Sequence, residues 1–103
     1  MNEKAFIQIA KALADPTRHA IVREVRAAGQ LTCSQVCDRF ECSQPTISHH
    51  LKTLEGAGVL KVRKDGTFHH LTLDENVLEE FAASIAGGAP AAPRKRLAKP
   101  RKS

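Results

Sequence analysis

A chain of 103 residues is enough for one domain with its own core, and small enough that a second subunit would add to its stability. It holds no apolar run near the roughly 18 residues that suggest a membrane span, and Met1-Asn2-Glu3 does not open a secretion signal. A cytoplasmic protein is therefore expected, and three cysteines, an odd number, argue against a disulfide scaffold. Of the positive charge, Arg94, Lys95, Arg96, Lys99, Arg101 and Lys102 supply six units in the last ten residues, so a chain of net +5 carries −1 elsewhere. Any nucleic-acid contact by the globular part must then come from local placement of charge.

Residues 3–13 read as a helix, with Phe6, Ala10 and Leu13 on one side and Ile7 and Ile9 widening the stripe. So broad an apolar face calls for more than one neighbour. Asp15-Pro16 starts a second helix, an N-cap acid before a proline whose missing N–H is not needed in the first turn. It carries Ile21, Val22, Val25 and Ala28 inward, ends at Gly29, and leaves Arg18, His19, Arg23 and Arg26 for a solvated face. Thr32 caps a short third helix, in which Cys33, Val36, Cys37 and Phe40 recur at i, i+3, i+4 and i+7 as one core-facing stripe.

The next stretch organises the rest. Ser43 is an N-cap, Pro45 sits in a first turn, and Ile47, Leu51 and Leu54 form an apolar stripe before Gly56 and Gly58 stop the helix. Pro45, Ser48, His49 and Lys52 face away from that stripe, with Gln44 and Thr46 on its flanks. An amide, hydroxyls and an ammonium are the groups that read base edges and hold phosphates. Residues 59–63 and 67–73 then form two strand-like runs joined through Lys64-Asp65-Gly66, where Asp-Gly is a hairpin signal. This hairpin holds Lys61, Arg63 and Lys64 against Asp65, with His69 and His70 on opposite faces of their strand. A last helix over residues 75–85 carries Val77, Leu78, Phe81 and Ile85 and ends at Gly87-Gly88. The fold expected is mainly α with a small β-hairpin, a winged helix-turn-helix over residues 1–86. Residues 87–103 form a basic tail too poor in apolar residues to build a core, and disorder is expected there.

Catalysis is not expected. Ser48 beside His49 or His50 is the nearest thing to a nucleophile with a base, but neighbours on a helix point about 100° apart and no triad follows. No glycine-rich phosphate loop is present.

Three stretches narrow the reading: Ala12-Leu13-Ala14-Asp15-Pro16-Thr17-Arg18, then Ser43-Gln44-Pro45-Thr46-Ile47-Ser48-His49-His50-Leu51, then Leu54-Glu55-Gly56-Ala57-Gly58-Val59-Leu60. Together they resemble the ArsR (ArsR/SmtB) family of bacterial winged-helix repressors, over residues 6–85. The resemblance implies a homodimer built on the first and last helices, through Phe6, Ile9, Leu13, Val77, Phe81 and Ile85. It implies a partly palindromic double-stranded DNA operator, repressed until an effector loosens the protein. By position, Gln44, Thr46, Ser48 and His49 would reach bases, while Ser43, Lys52, Arg63 and Lys64 would hold the backbone. His50, beside the core stripe, would pack or brace.

The family's cofactor sites do not carry over. Its Cys-x-Cys arsenic motif falls on Thr32 and Ser34, and its other sensing site needs histidine on the last helix, which has none. A repressor with no metal cofactor is expected, its thiols packed as small apolar groups. The alternatives are a metalloid or redox sensor using Cys33, Cys37 and Cys42, and a winged-helix module that binds proteins instead of DNA.

Overall fold

The computed structural model describes residues 1–86; the basic tail expected at 87–103 lies outside the described residues. The chain runs α1 (Glu3–Leu13), α2 (Pro16–Ala28), β1 (Leu31–Thr32), α3 (Cys33–Arg39), α4 (Gln44–Gly56), β2 (Leu60–Asp65), β3 (Phe68–Leu73) and α5 (Glu75–Ile85). No helix among the described residues is long and apolar enough to cross a membrane.

Each helix starts where a side-chain oxygen accepts the N–H three residues on: Asn2 from Ala5, Asp15 from Arg18, Thr32 from Gln35, Ser43 from Thr46 and Asp74 from Val77. Such a cap contributes about 1 kcal/mol. At α3 the exchange is reciprocal, because the Gln35 side chain accepts the Thr32 N–H at 2.8 Å, a capping box. The Arg18 N–H holds the Asp15 carboxyl below its ordinary value of 3.8, with the Arg18 charge acting the same way against desolvation. The end of α4 is a Schellman motif. Gly58, at φ 86°, donates to the Glu55 carbonyl at 2.9 Å and Val59 to that of Leu54 at 3.1 Å.

The sheet has the order β1-β3-β2, all antiparallel. Strand β1 was not expected: two residues show no alternation, and they pair only because the entry to α3 lies against the open edge of β3, Leu31 opposite Leu71 and Thr32 opposite His70. The hairpin turn sits one residue later than Asp-Gly suggests. Asp65 pairs with Phe68, so Gly66 and Thr67 are the loop, with Gly66 at φ 64° in the first loop position.

The core forms where the helix stripes meet the inner face of the sheet. Ile47 and Leu54 of α4, Ile21 and Val25 of α2, Val36 of α3 and Leu71 of β3 are all 0% exposed. Each contributes on the order of 1.5–3 kcal/mol by burial. Three expectations change here. Ile9, which the resemblance places at a dimer surface, is 1% exposed within its own protomer, because it and Ala12 form the side of α1 that meets this core. Ala28 is exposed rather than inward. Arg18 is half-buried between helices rather than solvated. On α5 no residue is buried; Val77, Leu78 and Phe81 are half-buried, and Phe81 stacks on Phe6 of α1 at 4.9 Å between ring centres.

Candidate nucleic-acid interface

Ile47, Leu51 and Leu54 seat α4 on the core, so the opposite face is turned outward by helix geometry alone. Ser43, Gln44, Pro45, Thr46, Ser48, His49 and Lys52 are all exposed along it. The first turn is held by Ser43, whose hydroxyl accepts the Thr46 N–H at 3.3 Å and lies 2.9 Å from the Thr46 hydroxyl. Gln44, Ser48, His49 and Lys52 make no side-chain hydrogen bond within the described residues.

Strand alternation divides the wing. Val62, Lys64, His69 and Leu71 face α4, whereas Arg63, Asp65, Phe68 and His70 occupy the other side of the ribbon. Arg63 and Lys64 therefore approach any ligand from opposite faces. Between α4 and the wing lies an open groove of about 570 Å³ lined by Ser48, Leu51, Lys52 and Glu55 from α4, Val62 and Lys64 from β2, His69 and Leu71 from β3, and Cys33. Two ammonium groups, a hydroxyl and an imidazole border it against the single carboxylate of Glu55. A phosphate could be held there by charge and hydrogen bonds together.

A second cleft of about 320 Å³ continues past the start of α4, among Cys33, Cys37, Asp38, Gln44, Phe68 and His69. His69 lines both cavities. Sequence reading left open which of His69 and His70 turns toward α4; alternation makes them opposite, but only the register of β3 on β2 chooses between them. His70 is tied down on the far side, where the Gln30 amide donates to its Nδ1 at 3.2 Å and Asp65 lies 3.9 Å from its Nε2. Phe68, 59% exposed at the wing tip, was not singled out in the sequence.

The three thiols are free and half-buried, packed against the core. Cys33 and Cys37 share the second cleft, and Cys42 lines neither cavity. Burial pushes the Cys33 thiol above its ordinary value of 9.0, and the neighbouring Cys37 and Glu55 add to it. Among the described residues, no group of three or more His, Cys, Asp or Glu side chains is arranged to hold a metal ion.

The chain matches the family described as "Helix-turn-helix domain" over residues 13–63. It is 41% identical over 78 residues to an uncharacterized HTH-type transcriptional regulator, MJ1325, of Methanocaldococcus jannaschii, covering 75% of this chain and 86% of that one. It is 32% identical to the arsenical resistance operon repressor of Staphylococcus aureus, over 82% of this chain and 81% of that one. With the transcriptional repressor SdpR of Bacillus subtilis it shares 36% identity, over 68% and 77% of the two chains. Among solved structures, the ArsR family transcriptional regulator RHA00566 superposes with a TM-score of 0.77 at 25% identity, over 85% of this chain and 90% of that one. The homodimeric winged helix-turn-helix domain Mb0332 of Mycobacterium bovis has the same fold, with a TM-score of 0.68 at 21% identity over 90% and 87%.

The capped and outward-facing α4, the basic wing and these likenesses define a winged helix-turn-helix DNA-binding regulator of transcription, a class that is not one of enzymes. Within that class the chain belongs to the ArsR family.

Proposed function

We propose that the chain works in the cytoplasm as a homodimeric repressor that binds a partly palindromic operator and needs none of its family's metal sites. The observation that carries this reading is the groove in which Ser48 and Lys52 of α4 meet Lys64 and His69 of the wing, continuous with the exposed start of α4. Gln44, Thr46, Ser48 and His49 would enter a major groove, while Ser43, Lys52 and Lys64 bind the flanking backbone and Arg63 reaches it from the outer face of the wing. Two-fold symmetry would set the two reading helices about 34–36 Å apart, one helical turn of DNA.

Dimerisation through α1 and α5 is supported by the incomplete cover of α5 and by the Phe6–Phe81 stack, beside which Ile7 and Ile85 stand 43% and 62% exposed. It is supported as well by the homodimeric domain of the same fold. Leu13 and Val77 flank that surface half-buried, and Ile9 is spent on the protomer core.

A second reading, a thiol-based sensor, is favoured by one observation: Cys33 and Cys37 border the same cleft as Gln44, so a group bound there would disturb the reading helix. Against it, burial pushes the Cys33 thiol above its ordinary value, which lowers the fraction of thiolate that a metal or an oxidant would meet.

The test begins with selection of a binding sequence from random duplex DNA. Affinity is then measured with the protein reduced and metal-free, with As(III) or a soft divalent metal, and after mild oxidation, with Cys33, Cys37 and Cys42 each replaced by serine. Equal affinity in all three states supports the metal-independent repressor. Loss in one state, cancelled by a serine, establishes the sensor. Failure to select any sequence sinks both and leaves a protein-binding module.

A further inference from the structure

Arg18 lies in the first turn of α2, where the sequence pattern assigns it to solvent, yet its guanidinium joins three helices. Its Nε–H donates to the Ala12 carbonyl at 2.6 Å and its Nη2 to that of Lys11 at 3.4 Å, which also accepts the N–H of the cap residue Ala14, so both bonds fall on carbonyls in the last turn of α1. Its Nη1 lies 3.2 Å from Nδ1 of His50 on α4. Guanidinium has no acceptor, so Nδ1 must be the unprotonated nitrogen of a neutral ring whose proton is on Nε2. One planar fork thus holds the end of α1 and the middle of α4 at a fixed separation.

A second link runs beside it. The Gln8 side chain of α1 donates to the carbonyl of Gly56, the last residue of α4, at 3.3 Å. Residues 50 and 56 are about 9 Å apart along a helix axis. Two attachments so spaced fix the direction of α4 against α1 as well as its position. The packing of Ile9 and Ala12 on the core favours a crossing angle only to within about 15–20°, and the two attachments narrow it.

We propose that Arg18 and His50 form a positioning clamp that locks the reading helix to the dimerisation helix and so sets the separation of half-sites the dimer accepts. The proposal rests on the reading of the chain as a DNA-binding dimer built on α1 and α5. In that dimer a displacement of α4 against α1 counts twice, once in each protomer. A slip of about 1.7 Å per protomer therefore changes the distance between reading helices by the ~3.4 Å rise of one base pair. An added base pair also turns the second half-site by about 34–36°, so slack in both the position and the direction of α4, the two things the attachments fix, would let the dimer bind operators with one base pair too many or too few.

The experiment uses the full chain and the half-site obtained by selection, placed in duplexes whose half-site separation runs in single base-pair steps on either side of the selected one. Anisotropy titrations give the ratio of affinities between the selected and the stretched operator. The variants are Arg18→Ala, Arg18→Lys, His50→Phe and His50→Asn, with sedimentation and circular dichroism confirming folded dimers. Wild type should lose about tenfold on one inserted base pair, within the range usual for coupling between sites. Arg18→Ala, Arg18→Lys and His50→Phe should reduce that penalty to about threefold or less, whereas His50→Asn, which keeps an acceptor near the Nδ1 position, should restore it. A merely structural role for the pair would weaken every operator equally and leave the ratio unchanged, and that result overturns the clamp. Should Arg18→Ala fail to fold, the comparison of His50→Phe with His50→Asn decides. A wild-type protein indifferent to spacing overturns instead the two-half-site dimer on which the proposal stands.

Discussion

Lys52 and Gln44 are both exposed on α4, but they border different cavities and should fail differently. Lys52→Ala is expected to weaken all operators nearly equally and to lower the slope of log affinity against log salt by about 0.9, one phosphate's worth of released counterion. Gln44→Ala should cost about 1–3 kcal/mol against the preferred base and relax choice at that one position. Titrations across a salt series and a single-substitution operator library separate the two; unchanged affinity in both variants would place the reading surface elsewhere. A different residue contributes to the acid limb of stability. Asp15 is ionised more readily folded than unfolded, so its contribution is present above its ordinary value of 3.8 and is lost as pH falls below it. Asp15→Asn, which keeps a capping oxygen, should lessen the fall of urea-melting stability between about pH 5 and 2 by the share that Asp15 contributes, while leaving the neutral-pH value close to wild type.

At the scale of elements, caps and turns set where α4 begins and where the wing folds back. Gly58 and Gly66 both have positive φ, and a Cβ at either would meet nothing within 4 Å. Alanine there is disfavoured by backbone strain alone, and each substitution should cost about 1 kcal/mol in urea melts. Gly58→Ala is expected to disturb DNA affinity more than Gly66→Ala does. The Schellman turn fixes the joint between α4 and β2, whereas Gly66 fixes only the tip. Equal effects would show that the α4–wing angle does not depend on that joint. The register of β3 on β2 likewise decides that Lys64 and His69 look toward α4 while Arg63 and His70 look away.

At the scale of the whole molecule, the unfinished part of the fold is the α1–α5 side. Ile7 and Ile85 are exposed in the protomer, so a charge at either should leave the protomer's fold intact. Ile7→Glu and Ile85→Glu are expected to convert the dimer to monomer in sedimentation, with thermal unfolding still cooperative. Operator affinity should fall at least tenfold once the second half-site is no longer joined to the first, since linked sites gain by effective concentration. A dimer that persists in both variants would move the interface off this side.

The residues themselves determine most of the elements. Ser43, Thr32 and Asp15 mark helix starts because an oxygen three residues before a free N–H acts within one turn, and the stripe of Ile47, Leu51 and Leu54 orients α4 because helical period is a local property. The wing and its basic residues are legible for the same reason. What sequence leaves undecided depends on neighbours distant along the chain. Ile9 turned inward rather than to a partner, β1 paired on an edge created by β3, and the choice of His69 over His70 for the α4 side all follow from packing. Arg18 is the clearest case. On a helical wheel it is one more surface cation, and only the arrival of the end of α1 and of His50 from α4 turns its donors into a joint between three helices.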